Sequence, residues 1–195
     1  MGSFRDQGLK VLCASLVGLG VFGAVSGPPG RAVPLSFAEL AEPQTPVVSP
    51  GCQKVLDILH KLSSVPYHSY RVQTLNGKPS NSEMVFVDGT YYVLINGKWT
   101  VSPISAQDMK QLEQNSMKNI QNASCKEVRE EAVNGESATV YTSHSESERG
   151  TADTQMWISK SRELLLRQDI DSAGSGFKNH SSSRFEYSSV KAPSM

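Results

Sequence analysis

Short turn signals divide much of this sequence into hairpins. Each signal separates two runs of β-forming residues, and each is a dipeptide that accepts the positive φ angles of a two-residue hairpin turn. The dipeptides are Asn76-Gly77, Asp88-Gly89, Asn96-Gly97 and Asn134-Gly135. Because such turns connect antiparallel neighbours, the chain is expected to fold as an antiparallel meander.

The segments between the turns alternate with period two, which is typical of strands with one buried face and one wet face. For example, Leu164, Leu166 and Ile170 alternate with charged residues. A sheet of about eight or nine such strands with a single wet face has to curl. The predicted strands are 67–75, 83–88, 90–95, 98–102, 126–133, 137–145, 154–160, 163–171 and 183–190.

Two amphipathic segments are predicted to be helices. The first follows Ser49-Pro50, which is expected to supply its cap and its first-turn proline. The second begins at Ser105, because Ser105 and Asp108 resemble a capping box, and it is expected to run to about Gln121. The apolar stripe of the first helix comprises Cys52, Val55, Leu56, Leu59 and Leu62.

These elements predict the fold class. The chain is expected to be an α+β protein, an incomplete antiparallel β-barrel of about eight or nine strands wrapped around two helices. Residues 51–193 are predicted to form this single domain, preceded by a Pro-containing linker over 39–50.

The N-terminal region, 1–38, is predicted to be a signal peptide and processing region. Arg5 and Lys10 precede an apolar run over 11–26, which is shorter than the ~20 residues of a membrane-spanning helix. Small residues permit cleavage after Ala32 or after Ala38, and retention as an anchor remains an alternative. The product is expected to be periplasmic or secreted, and not integral to the membrane after signal removal.

Two cysteines, Cys52 and Cys125, remain after the signal. An even pair in an exported chain is most simply a disulfide. The two positions are 73 residues apart, and closing a loop of that length is expected to stabilise the fold by about 4 kcal/mol. Metal binding is the weaker alternative, since two thiols lack the four ligands of a structural zinc site.

Several short strings resemble those of one known family. The first pair of strings is Val87-Asp88-Gly89-Thr90-Tyr91-Tyr92 followed by Asn96-Gly97-Lys98-Trp99. The second pair is Trp157-Ile158-Ser159-Lys160 followed by Glu163-Leu164-Leu165-Leu166-Arg167. The last string, near the C-terminus, is Phe185-Glu186-Tyr187-Ser188-Ser189-Val190. Together with the order helix, strands, helix, strands behind a signal, they resemble the LolA-like and mycobacterial lipoprotein-transporter superfamily of periplasmic lipoprotein- and lipid-binding proteins.

The resemblance implies an unclosed antiparallel barrel around helices, with acyl chains or lipidated polypeptides bound on the concave face. Other members of the superfamily are signalling sensors. No ligand motif matches position by position, so no binding residue is transferred from the family.

Large aromatic side chains are the candidate ligand-binding residues, because apolar rings bury acyl surface at ~25 cal/mol per Å². The alternative is that they pack against the two helices as core. The candidates are Phe86, Tyr92, Trp99, Tyr141, Trp157, Phe185 and Tyr187.

The sequence contains few features that would support catalysis, metal binding or nucleic-acid binding. It has no Gly-x-Ser-x-Gly elbow, and its histidines form no i, i+4 pair, so no catalytic residue, metal site or cofactor is expected. Lys and Arg number 19, as do Asp and Glu, and they form no basic stripe. The chain is therefore not expected to be an enzyme or to bind nucleic acid.

The predicted function is that of an exported, non-catalytic binding protein that holds a lipid or a lipidated polypeptide in a concave sheet. A helix or loop such as 102–108 is expected to gate the site. The alternative is an envelope interaction or sensor protein, with an envelope protein as its partner and a core filled by its own side chains. The volume between helices and sheet discriminates between the two.

Overall fold

A computed structural model describes residues 47–195. The predicted signal peptide, both predicted cleavage sites and most of the predicted linker lie outside the described residues. Neither helix described in this range is long and apolar enough to span a membrane.

The described chain consists of two helices and one sheet. The helices are α1 (Cys52–Lys61) and α2 (Ala106–Lys118). The strands are β1 (Val47–Val48), β2 (Tyr67–Leu75), β3 (Lys78–Val87), β4 (Thr90–Ile95), β5 (Lys98–Val101), β6 (Ile120–Val133), β7 (Glu136–Ser147), β8 (Gly150–Ser159), β9 (Leu165–Gly174) and β10 (Phe177–Glu186).

The sheet has the order β1-β6-β7-β8-β9-β10-β2-β3-β4-β5 and does not close on itself. Every neighbouring pair is antiparallel except β1 and β6, which are parallel. The last strand, β10, pairs with β2 and so joins the hairpins of the first half of the chain to those of the second. The predicted incomplete antiparallel barrel with two helices is confirmed.

The predicted hairpin turns have the backbone that their dipeptides favour. The φ angles are 49° at Asn76 and 77° at Gly77, and 52° at Asn134 and 82° at Gly135. Positive φ at both central residues matches the right-handed twist of the flanking strands. The turns therefore fix the registers β2–β3 and β6–β7 directly from the sequence.

Several elements begin or end away from their predicted positions. Helix α2 ends at Lys118 rather than near Gln121, and Ile120 instead begins β6 opposite Ser147. Strand β3 begins at Lys78, within a polar stretch that has no hydrophobic alternation. Such stretches become strands because backbone hydrogen bonds to a neighbouring strand do not require apolar side chains.

The predicted cap of α1 is wrong. The helix begins after Gly51, without a side-chain cap. Instead the hydroxyl of Ser49 accepts a hydrogen bond from the backbone N of Cys125 at 3.2 Å, and the Ser49 N donates to Ala123 O at 3.1 Å. The end of the predicted linker is therefore attached to the edge of the sheet at β6.

One cluster of buried side chains, the core cluster, fills the space between α1 and the concave face. Two members come from α1, Leu62 directly follows its end, one member comes from α2, and the rest come from seven strands. The cluster comprises Val55, Ile58, Leu62, Tyr67, Phe86, Tyr91, Met109, Tyr141, Met156, Ile158, Leu165 and Phe185.

The predicted disulfide is confirmed. It joins Cys52, the first residue of α1, to Cys125 in β6, with 4.8 Å between the two Cα atoms. The sulfur of Cys52 is buried with the core face of the helix. The bond therefore holds α1 against the sheet.

Replacing both cysteines should test this bond. In the double variant Cys52→Ser/Cys125→Ser the unfolded chain regains the freedom of a long loop, so we expect the free energy of unfolding to fall by about 4 kcal/mol in urea titrations. Wild-type protein treated with reductant is the control and should behave like the variant. An unchanged midpoint, with unchanged gel migration in the absence of reductant, would contradict the assignment.

Candidate functional site

A hollow of about 30 Å³ lies on the concave face of the sheet, beneath α2 and the segment that leads into it. Strands β2, β3, β4 and β10 form its floor. Its lining comprises Ser69, Arg71, Ser82, Met84, Tyr91, Val93, Ser102, Met109, Ser183 and Phe185.

Strand register explains how these side chains come together. Ser183, Arg71 and Ser82 are directly opposite one another across β10, β2 and β3. The next row on the same face runs from Phe185 through Ser69 to Met84, and then to Val93. Because side chains on one face recur every second residue, one row of the hollow is polar and the next is mainly apolar.

Arg71 provides the charge of the hollow. It is only 9% exposed, and its Nε donates a hydrogen bond to the hydroxyl of Ser183 at 3.1 Å. Burial raises the pKa of nearby Tyr67 well above its usual range, and the positive charge of Arg71 opposes this only in part. The phenol is therefore neutral at physiological pH, and Arg71 is the charged residue of the described lining of the hollow.

Helix α2 covers the hollow with one apolar anchor. Met109 is its buried apolar residue, whereas Leu112 and Met117 are half-buried. The predicted capping box is confirmed, since Ser105 N donates to Asp108 at 3.0 Å and Asp108 N donates to Ser105 Oγ at 3.1 Å. The Ser105 hydroxyl, which donates to Asp108 Oδ2 at 2.7 Å, and then the Ser105 backbone N lower the pKa of Asp108. The start of the helix is therefore fixed by its cap.

The segment before α2 is attached to the wall of the hollow. Ser102 N donates to the carbonyl of Tyr91 at 2.8 Å, and the Ser102 hydroxyl accepts from Ile104 N at 3.1 Å. The helix is therefore tethered at its N-terminal side, next to the hollow.

Three of the predicted aromatic ligand-binding residues belong to the core cluster. These are Phe86, Tyr141 and Phe185, and of them Phe185 lines the hollow. Tyr141 packs toward the helices, and its hydroxyl donates to Glu127 at 2.9 Å.

Two more of these aromatic residues lie in or beside a second cluster, the outer cluster, formed by Ala138, Val140, Trp157 and Leu166. Trp157 is buried there, and the guanidinium of Arg167 lies over its indole ring, 4.5 Å from the ring centroid. Tyr187 packs against both clusters, and its hydroxyl donates to Leu165 O at 2.6 Å. Burial raises the pKa of this phenol far above its ordinary value.

The remaining two, Tyr92 and Trp99, lie on the convex face. Tyr92 follows the core residue Tyr91 in β4 and so points the other way. Trp99 is opposite Leu94 on that same face, with its ring centroid 5.7 Å from that of His68. The structure thus distributes the seven aromatic side chains over both faces of the sheet.

The sequence reasoning did not select Arg71 or the serines around it. A signal was nevertheless present, since Tyr67, Ser69, Arg71 and Gln73 share one period-two phase of β2, and all four are buried. A charged residue on the buried phase of a strand marks a polar site within a core.

The convex face carries a row of histidines and carboxylates. His144, Asp153, Asp171 and His180 are opposite one another across β7, β8, β9 and β10. Nδ1 of His144 lies 2.7 Å from Asp153, and Nδ1 of His180 lies 2.8 Å from Asp171. Within residues 47–195, no group of three or more such side chains is arranged to hold a metal ion.

Comparison with solved structures finds matches of low sequence identity. The lipoprotein LppX of Mycobacterium tuberculosis is 11% identical with a TM-score of 0.44, and the match covers 72% of this chain and 96% of LppX. LprF of Mycobacterium bovis is 12% identical with a TM-score of 0.41, covering 75% of this chain and 97% of LprF.

MucB, solved in complex with MucA(peri), is 13% identical with a TM-score of 0.44, and the match covers 74% of this chain and 57% of MucB. No family model matches this sequence, and no curated protein matches it.

The row of histidines and carboxylates on the convex face leads to a prediction about how stability depends on pH. Hydrogen bonding to Asp153 raises the pKa of His144, with Glu146 contributing. The stability contributed by protonated His144 is therefore full below the unfolded pKa of about 6.5 and is lost as the pH rises through the folded pKa. We expect an NMR titration to place the His144 pKa above 6.5 in the wild type and nearer 6.5 in Asp153→Asn. An identical His144 titration in both proteins would refute the assignment.

Proposed function

We propose that this chain is an exported, non-catalytic binding protein that holds a hydrophobic ligand, a lipid or a lipidated polypeptide, on the concave face beneath α2. The observation that carries the proposal is the apolar half of the hollow. It is formed by Met84, Tyr91, Val93, Met109 and Phe185, which meet where a single helix covers the sheet.

Export is supported by two independent features. The disulfide between Cys52 and Cys125 belongs to a compartment in which thiols are oxidised. The first 38 residues have the charge and hydropathy pattern of a secretory signal. The proposal therefore places the protein in the periplasm or outside the cell.

Ligand binding requires α2 to move. A hollow of about 30 Å³ has room for about two water molecules and is too small for an acyl chain. Exposing Met109 costs about 1.5–3 kcal/mol, whereas burying about ten methylene groups of a ligand contributes about 8 kcal/mol. Displacement of the helix by an acyl chain is thus favourable before the entropy lost on binding is counted.

The tether at Ser102 defines how the helix opens. Ser102 stays bonded to the β4 backbone, and the capping box keeps the helix start intact. Helix α2 is also attached at its other end, where Ile120 begins β6, so it lifts between these two attachments, with Met109 leaving the hollow as the ligand takes its place. The gate predicted over 102–108 is in this account the hinge of the lid.

A second candidate function is supported by the core cluster. Its members from α1 and the sheet are buried against one another, so this part of the concave face is already filled by the protein's own side chains. An envelope interaction or sensor protein with a self-filled core would have this packing throughout. In that case α2 would remain closed in the presence of lipid.

A fluorescent fatty alcohol tests the proposal without involving charge. We expect a pyrene-labelled fatty alcohol to bind the full chain saturably at one site. Met109→Ala should raise its association rate about fivefold or more, because opening then exposes less apolar surface. Met117→Ala, the same change at a half-buried position of the same helix, is the control and should leave the rate within about twofold of the wild type. The absence of saturable binding in all three proteins would contradict the proposal and favour the interaction protein.

A further inference from the structure

We propose that Arg71 and the serines around it form a receptor for the anionic head, a carboxylate or a phosphate, of a single-chain amphiphile whose tail lies beneath α2. This inference rests on the proposed function, since it assigns the polar end of the same ligand. It adds a charge requirement that the apolar residues of the site cannot impose.

The lining of the hollow has an apolar part and a polar part, as an amphiphile has. Its apolar half faces Met109 of α2. Its polar half is the guanidinium of Arg71 and four serine hydroxyl groups. A site with these groups favours a ligand that is anionic at one end and apolar at the other. The polar half comprises Ser69, Arg71, Ser82, Ser102 and Ser183.

Strand register sets the geometry of the polar half. Arg71 lies between Ser183 and Ser82 in one row across three strands, and directly opposed side chains on a sheet are about 4.5–5.5 Å apart at Cβ. The guanidinium is a planar group with five N–H donors, which suits the paired oxygens of a carboxylate or phosphate. Hydroxyls on both sides can donate to the same oxygens.

Burial strengthens the charge interactions of the Arg71 guanidinium. At 9% exposure the Arg71 side chain is largely removed from water, and charge interactions in such surroundings are several times stronger than in bulk solvent. The hydrogen bond from Nε to Ser183 fixes the orientation of the guanidinium with respect to β10. The donor group is therefore held in place before a ligand arrives.

Two further buried polar atoms adjoin the row. Within the described part of the chain, Ser181 Oγ and Gln168 Oε1 have no hydrogen-bond partner, although both residues are at most 3% exposed. Gln168 is directly opposite Ser183, and Ser181 is two residues from Ser183 on the same face. Buried polar groups are normally satisfied, so these two atoms leave hydrogen-bonding capacity next to the polar row.

A pair of ligands that differ only in head charge tests the inference. Binding of oleate and of oleyl alcohol is measured on the full chain above pH 8, with Arg71→Gln and Arg184→Gln as matched variants. Arg184 lies on the convex face of β10, stacked on Tyr70 at 4.8 Å, so its loss removes an equal charge away from the site. Lysophosphatidic acid with the same tail, inorganic phosphate and acetate complete the set.

We expect wild-type protein and Arg184→Gln to bind oleate and lysophosphatidic acid at least about tenfold more tightly than oleyl alcohol, as a charge-assisted pair would give. Arg71→Gln should lose this preference and bind oleate no more tightly than it binds oleyl alcohol, and Arg71→Lys should restore part of the preference. Preference for the amphiphiles without measurable binding of phosphate or acetate identifies a head group joined to a tail.

The results that would contradict the head-group receptor differ from the result that would contradict the proposed function. If Arg71→Gln keeps the full preference, or if free phosphate binds as tightly as lysophosphatidic acid, the head-group receptor is wrong although lipid binding stands. If oleyl alcohol does not bind the wild type at all, the proposed function itself fails.

A measurement on the wild type alone covers the case in which Arg71→Gln does not fold. The NMR signal of the Arg71 Nε–H, identified by its loss in Arg71→Lys, should shift on addition of oleate and stay in place with oleyl alcohol. Equal shifts with both ligands would overturn the inference.

Discussion

The pairing of β10 with β2 is the interaction on which the rest of the structure depends. It runs over eight residue pairs, from Asn179 opposite Leu75 to Glu186 opposite His68, and it joins the last strand of the chain to the first long one. Without it the β2–β5 meander and the β6–β10 meander would be two separate sheets. With it they form one concave surface that two helices can cover.

The same pairing decides which side chains share that surface. A slip of β10 by one residue against β2 would move Ser183 to the convex face and would bring Arg184 inward beside Arg71. The observed register places a polar row beside an apolar one and sets both beneath α2. The proposed site is thus a product of strand register, and its chemistry follows from which phase of β2 and β10 is buried.

The two helices have different roles because they are attached differently. Helix α1 is fixed by a disulfide to β6 and contributes Val55 and Ile58 to the core cluster, with Leu62 directly after its end. Helix α2 has a firm capping box but only Met109 as a buried apolar anchor. One helix is therefore part of the scaffold, and the other is suited to be the lid of a binding site.

Much of the fold could be predicted from the sequence. The hairpin dipeptides and the capping box at Ser105 determine structure within a few residues, and two cysteines can pair in only one way. The polar starts of β3 and β6 could not be predicted, since tertiary pairing forms those strands without a hydrophobic pattern. The placement of Trp157 could not either, because β8 and β9 are buried on both faces near Ile158. Arg71 was missed because a search for apolar rings passes over a cation in the buried phase of a strand.

Native mass spectrometry of the protein, recovered without detergent from the compartment to which it is exported, tests the central claim most directly. We expect a bound mass in the range of a single-chain amphiphile, which disappears on solvent extraction and leaves a polypeptide two hydrogens lighter than its reduced form. A bare polypeptide that also fails to take up an added fatty alcohol would contradict it, and would instead indicate an envelope protein whose core is filled by its own side chains.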